Sequence, residues 1–178
     1  GECVPYARYG ETLDGVAALL AAAGDRLRSG MPVEAVLGLL PAGAARNALD
    51  CALWDLEARR SGVSVSARLD RAAPGVLATA VTISLDHPDA MAAAARAVAD
   101  APLIKVKLDA GQPADCLAAV ATAAPAARLI VDPNEGWTLP VLMAMTDPVS
   151  RFNVAMVEQP LPAGADEGLE GLAYPAPI

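Results

Sequence analysis

Aromatic residues make up only 3% of the 178-residue chain. A core of any size must therefore be built from alanine, valine, leucine and isoleucine. The 54% of apolar residues supplies enough for one good domain or two small ones. Basic residues are outnumbered by acidic ones, 13 to 21. The net charge of −8 argues against nucleic acid as a partner, because phosphate backbones are bound by basic surfaces. No apolar run approaches the ~20 residues of a membrane-spanning helix, and no signal-peptide pattern is visible. Cysteine occurs only at Cys3, Cys51 and Cys116. That sparse, odd set matches no zinc spacing and reads as inert, buried thiols in a reducing compartment, so the expected location is cytoplasmic. Glycine-rich phosphate loops are also missing after every candidate strand, which weakens a nucleotide-binding reading.

Lysine is scarce as well. The chain has two, Lys105 and Lys107, both in LIKVKLD, while the other eleven basic residues are arginine. Residues i and i+2 of a strand share a face, so the two lysines project together and Ile104, Val106 and Leu108 take the opposite face. Repulsion between two close ammonium groups, together with partial burial, is expected to lower lysine pKa. Arginine, with a pKa above ~12, could not serve where a removable proton is needed. The competing reading is a pair of structural lysines, each matched to a carboxylate at a strand end.

What is present divides the chain in two. GECVPYARYGET (1–12) reads as a strand end running into a loop. A helix capped by Thr12 is expected over 12–28, and a short one around 33–40. AARNALDCALWDLEARRSG (44–62) is the clearest helix, with Leu49, Leu53 and Leu56 on one face, Ala45, Ala48 and Ala52 beside them, and Gly62 as its stop. Asp50 and Asp55 on it read as capping or solvated charges. Residues 63–76 form a connector with Pro74–Gly75.

From residue 77 onward, β-branched apolar runs at 77–85, 101–108, 127–134 and 153–161 alternate with alanine-rich helical stretches near 88–99, 112–123 and 138–150. This alternation calls for an α/β fold with a parallel sheet and helical crossovers. Pro88 suits a first helical turn, which makes His87 a loop or cap residue. Thr82, Lys107, Asp132 and Glu158 are spaced 25, 25 and 26 residues apart. Equal steps predict equal heights on successive strands, as in a barrel of repeated βα units whose chemistry gathers at the strand C-terminal ends.

Asp132 and Glu158 each follow an apolar run. Burying a carboxylate there costs several kcal/mol unless it is paired or metal-bound. Asn134, two residues after Asp132, can face the same way, whereas Glu135 is expected to face solvent. Two acids and an amide at one rim make an oxygen-rich site for a hard divalent cation, best Mg2+. The alternative is that both acids form ion pairs with the lysines. A lysine beside a metal-bound carboxylate substrate suggests removal of the α-proton, with the cation stabilising the resulting enediolate.

ALDCALWDLEARRSG, TAVTISLD, LIKVKLD, LIVDPNEGWT and VEQPLPAG, in this order, resemble the dipeptide epimerase branch of the enolase superfamily, in its muconate-lactonising subgroup. A lysine base paired with Mg2+ is a pattern of that superfamily. The resemblance implies residues 1–75 as part of an α+β capping domain and 76–178 as the N-terminal half of a TIM-type (β/α) barrel, about its first four βα units. It implies Lys107 as the acid/base lysine, Lys105 as its electrostatic assistant, and Asp132 and Glu158 as the first two Mg2+ ligands with Asn134 behind them. The 1–12 loop, including Tyr6, Arg8 and Tyr9, would help cap a small-molecule substrate, a dipeptide or acylamino acid. DPN stands where the family often has DAN.

A third acidic ligand, one further step of about 25 residues from Glu158, would fall near position 183, past Ile178. An opposite-face base would come later still, and the first strands of the cap would precede Gly1. The expectation is a piece of a Mg-dependent epimerase or racemase that by itself binds metal weakly and does not turn over. Three other readings stay open. One is another enzyme of the subgroup: an N-acylamino acid racemase, a cycloisomerase or an o-succinylbenzoate synthase. The second is a Schiff-base aldolase, separable by borohydride trapping. The third is a truncated interaction module whose open strand edges would favour self-association, and a homo-oligomer is compatible with any of them.

Overall fold

The computed structural model describes residues 1–73 and 75–178, so Pro74 of the expected connector lies outside the described residues. The chain divides into two compact units, Gly1–Gly75 and Val76–Ile178.

In the first unit, α1 (Leu13–Arg28) begins where the Thr12 hydroxyl accepts the Gly15 N–H at 3.1 Å. α2 (Val33–Leu39), α3 (Ala44–Ser61) and the short α4 (Val65–Arg68) follow. Gly62 stops α3 in the left-handed region at φ 68°. The buried residues of α3 are Ala44, Ala45 and Ala48; of the expected leucines beside them, Leu49 and Leu53 are half-buried and Leu56 is exposed. Small residues let α1 approach closely, and Val16 packs there against Ala44 and Ala45. Asp55 is solvated and pairs with Arg59 at 2.9 Å. The strand end expected over residues 1–12 is absent among the described residues. Instead a single 3-10 turn, Ala7–Tyr9, closes at left-handed Gly10. Cys51 is exposed and Cys3 half-buried, so only Cys116 fits the expected inert core thiol.

The N-terminus of α3 is capped from a distance. Gly43, at φ 148°, offers no side chain, and the Glu11 carboxylate accepts the Ala44 N–H at 2.7 Å and the Tyr6 N–H at 3.1 Å. These two bonds hold the Glu11 carboxyl below its ordinary range. A Cβ on Gly43 would lie 2.4 Å from Glu11 Oε1. Gly43→Ala is therefore expected to lower the unfolding free energy by about 1–3 kcal/mol, from backbone strain and the displaced cap. Denaturant unfolding followed by circular dichroism checks it. Because the Glu11 carboxyl is lowered on folding, its contribution is present above the unfolded carboxylate pKa and fades as pH falls through the folded value.

The second unit is α/β. β1 (Val81–Ile83), β2 (Leu103–Lys107), β3 (Arg128–Asp132) and β4 (Val154–Val157) form one parallel sheet in chain order. No strand order reverses, so the sheet lacks the switch point of a doubly wound fold. α5 (Pro88–Ala97) and α6 (Pro113–Ala123) follow the first two strands. His87 is the N-cap of α5, and its Nδ1 accepts the Asp89 N–H at 3.4 Å. The helix expected over 138–150 is two, α7 (Leu139–Ala144) and α8 (Thr146–Arg151), parted at Met145. Pro148 explains the break: it has no N–H and its ring clashes with the preceding turn.

One face of the sheet is the core. Ile83, Ile104, Val106, Leu129, Val131 and Val157 are buried together with Met91, Leu117, Val120, Leu142 and Met145 from the helices. At the free edge of β4, the Val157 N–H donates to Pro177 O at 2.9 Å, so residues 176–178 run beside that strand. Burial pushes the Tyr174 phenol, which donates to Leu142 O at 3.0 Å, up to about 12. Among the described residues, no helix is long and apolar enough to cross a membrane.

Register sets the other face. Thr82, Lys105, Ile130 and Met156 lie level, and one layer nearer the strand ends Lys107 pairs with Asp132. Thr82 is thus level with Lys105, two residues below the height its spacing predicted. The step between level positions is 23 residues from β1 to β2, against 25 from β2 to β3. The 26-residue step to Glu158 has its own accommodation. A bulge at Ala155 shifts the β3–β4 register by one, from Leu129 opposite Val154 to Ile130 opposite Met156 and Val131 opposite Val157. Continuing that register places Glu158 level with Asp132.

Candidate active site

The alternation of β2 turns both lysines away from the buried residues Ile104 and Val106. Each remains partly accessible, with 22% of the Lys105 and 29% of the Lys107 side chain exposed. Asp132 is the one buried charged residue described, at 1% exposure. Its Oδ2 accepts from Lys105 Nζ at 2.9 Å and from Lys107 Nζ at 2.5 Å. Its Oδ1 accepts the Asn134 N–H at 2.9 Å. Lys105 also reaches Glu158 Oε2 at 2.7 Å, and Lys107 reaches Asn134 Oδ1 at 2.5 Å. The five residues singled out in the sequence therefore meet in a single network at the ends of β2, β3 and β4.

The electrostatics reverse one expectation. The Lys105 ammonium is held above its ordinary range, not below it, by its bonds to Asp132 and then Glu158, which outweigh burial. Burial alone would raise the Asp132 carboxyl; the two lysines and the Asn134 N–H overcome it and leave the carboxyl lowered. Repulsion between the ammonium groups, the basis of the expected lowering, is compensated because both share one carboxylate oxygen. The ion pairs of the alternative reading are thus the contacts present, and a cation entering between Asp132 and Glu158 would compete with Lys105 for the same oxygens.

Those oxygens suit a hard cation in one respect visible here: Asp132 Oδ2 and Glu158 Oε2 both contact the same positively charged nitrogen. The Lys105 ammonium stands where two carboxylates can face one positive centre. Among the described residues, no set of three His, Cys, Asp or Glu side chains is arranged to hold a metal ion.

The loops that carry these groups are constrained. Asn134, Glu135 and Gln159 have φ of 50°, 64° and 46°, left-handed values rare outside glycine. Glu135, expected to face solvent, is half-buried, and its N–H donates to Gln159 O at 2.7 Å. Sequence reasoning passed over Gln159 and Trp137. The signal for Trp137 was its type: a bulky indole in a loop of a chain with almost no aromatics. A groove of about 310 Å³ in the first unit, lined by α2, α3 and Arg68 of α4, carries Glu34, Asp50 and Glu57 but no lysine.

Comparison with known proteins adds sequence-wide likeness. Residues 89–178 match the enolase C-terminal domain-like family, and residues 1–69 match the N-terminal domain of the mandelate racemase / muconate lactonizing enzyme family. The chain is 45% identical over its whole length to L-Ala-D/L-Glu epimerase of Escherichia coli (strain K12), covering 56% of that protein. It is 41% identical over 99% of its length to N-acetyl-D-glutamate racemase of Pseudoalteromonas sp, again covering 56%. A crystal structure of an enolase family member from Agrobacterium tumefaciens, with bound sodium and L-Ala-L-Glu, superposes with a TM-score of 0.88 at 43% identity. It is matched over 99% of this chain and 54% of that one. The chain spans about half the length of the curated relatives it matches.

Proposed function

Since the chain belongs to the mandelate racemase / muconate lactonizing enzyme family of the enolase superfamily, we propose that it carries half of the active site of an epimerase. The reaction is a 1,1-proton transfer at the carbon α to a carboxylate, in a dipeptide of the L-Ala-D/L-Glu type. The observation that carries this reading is the convergence of two lysines and two acids on one network at successive strand ends. The sequential parallel sheet is then the first half of a (β/α) barrel, and the helical first unit is part of its cap.

Asp132 and Glu158 would hold Mg2+. Bound there, the ion supplies positive charge that makes the α-proton of the substrate more acidic. Lys107 removes and returns that proton on one face. Asn134, whose Oδ1 accepts from the Lys107 ammonium, aims it. Lys105, which bonds both acids, would contribute positive charge beside the substrate carboxylate. A base for the opposite face and a third acidic ligand would come from the part of the relatives' length that this chain does not span. The 178-residue chain alone is accordingly expected to bind Mg2+ weakly and to leave L-Ala-L-Glu unchanged.

The test is α-proton exchange in deuterated buffer, followed by proton NMR, with a protein carrying these residues at the full length of its relatives. Mg2+-dependent exchange on L-Ala-D/L-Glu supports the dipeptide reading. The likeness to N-acetyl-D-glutamate racemase favours a second reading on the same chemistry, and faster exchange on N-acetylglutamate would select it. Exchange on neither compound overturns both.

A further inference from the structure

We infer that Trp137 is a positioning residue: its ring and backbone clamp together the three loops that directly follow Lys107, Asp132 and Glu158. What those groups do rests on the function proposed above; the clamp itself does not. Trp137 is 0% exposed and the bulkiest of the fully buried side chains. Its Nε1–H donates to Asp109 O at 2.7 Å, two residues past Lys107 in the loop after β2. Its backbone N–H donates to Pro160 O at 3.0 Å, two residues past Glu158 in the loop after β4. Trp137 itself lies five residues past Asp132, in the loop after β3. One residue thus bonds to both neighbouring loops, each time close behind a reactive side chain.

Strand pairing reaches Lys107 and Asp132, which are register partners, and Glu158, whose N–H donates to Val131 O at 2.7 Å, but it does not reach the loops behind them. Beyond them the chain makes the left-handed turn at Asn134 and Glu135, where the Glu135 N–H donates to the carbonyl of the equally left-handed Gln159 at 2.7 Å. A buried indole that cannot shift without losing its donor bond holds such a turn in place. Asn134, which touches Lys107, lies within that turn.

The test uses the 178-residue chain carrying Trp137→Phe, which keeps a ring but loses the donor. Native-state hydrogen exchange is expected to quicken at least tenfold at the Glu135 and Leu108 amides through local opening. The strand-centre amides of Val106 and Val131 should follow only the change in global stability measured by denaturant. The Lys107 ammonium signal in a proton–nitrogen spectrum, sharp while Asp132 and Asn134 hold it, should broaden. Equal acceleration everywhere with an unchanged ammonium signal would mean that the ring merely fills the core, and no acceleration at all would mean that the loops hold themselves. Either result overturns the clamp. If Trp137→Phe does not fold, benzothienylalanine at position 137, which replaces the N–H by sulfur at nearly constant shape, takes its place with the same expected results. The two levels are separable: absence of Mg2+-dependent α-proton exchange by the protein at the full length of its relatives counts against the proposed function, while the amide-exchange pattern of the 178-residue chain still decides the clamp.

Discussion

Lys107→Arg in a protein spanning the full length of its relatives is expected to stop epimerisation in both directions. The guanidinium keeps the positive charge next to Asp132 and Asn134, so the network and the fold are preserved. What it cannot do is give up a proton near neutral pH, because its pKa lies above ~12. General acid–base catalysis by a positioned side chain contributes roughly 10²–10⁴-fold, and that is the minimum loss expected. The loss should be asymmetric in deuterated buffer. The stereoisomer that presents its α-proton to Lys107 loses exchange, whereas its epimer, served by the opposite-face base, retains more. Wild-type exchange rates on both stereoisomers would remove Lys107 from the chemistry.

Asp132→Ala should produce the largest change in stability. Asp132 Oδ2 is the shared acceptor of both lysines, and its removal strips Lys107 of its carboxylate and leaves Lys105 with Glu158 alone. Breaking a buried ion pair costs about 3–5 kcal/mol. The lysines keep some access to water, so a loss near the lower end, about 3 kcal/mol, is expected from denaturant unfolding at pH 7. A change below about 0.5 kcal/mol, the usual size for an unremarkable surface site, would show that the network contributes nothing to folding.

The pH dependence of unmodified, metal-free protein has a determined sign. The Asp132 carboxyl is lowered on folding, so its contribution is complete above the unfolded value near 4 and is lost as pH falls through the folded one. The Lys105 ammonium is raised, so its contribution is complete below its ordinary 10.5 and is lost as pH rises through the folded value. A stability plateau between those limits is expected, and Asp132→Ala should flatten both shoulders. Unfolding midpoints measured from pH 2 to 11 would reveal it.

The sequence made much of this site legible because alternation and step length are local properties. LIKVKLD names the face of each lysine as soon as it is read as a strand, and four apolar runs separated by alanine-rich stretches specify a parallel sheet. Height across the sheet was less legible. It depends on how many residues each loop absorbs, so Thr82 fell one layer below its expected place while Lys107 and Asp132 paired directly. The direction of the Lys105 perturbation was misjudged because pKa depends on which counter-charge lies closest, a tertiary fact. The periodicity of α3 put leucines and alanines on adjoining positions but did not say which are fully buried; close helix approach favours the smaller residue, Ala45 and Ala48.

The bulge at Ala155 makes the position of Glu158 a matter of parity. In an unbroken strand starting from Val154, sides alternate with odd and even count, and residue 158 would share the side of 154, under the helices, with Val157 at the mouth. One skipped residue inverts that assignment. A change that straightened the chain at 155 without shortening it would therefore exchange an acid for a valine at the reactive end while altering neither side chain.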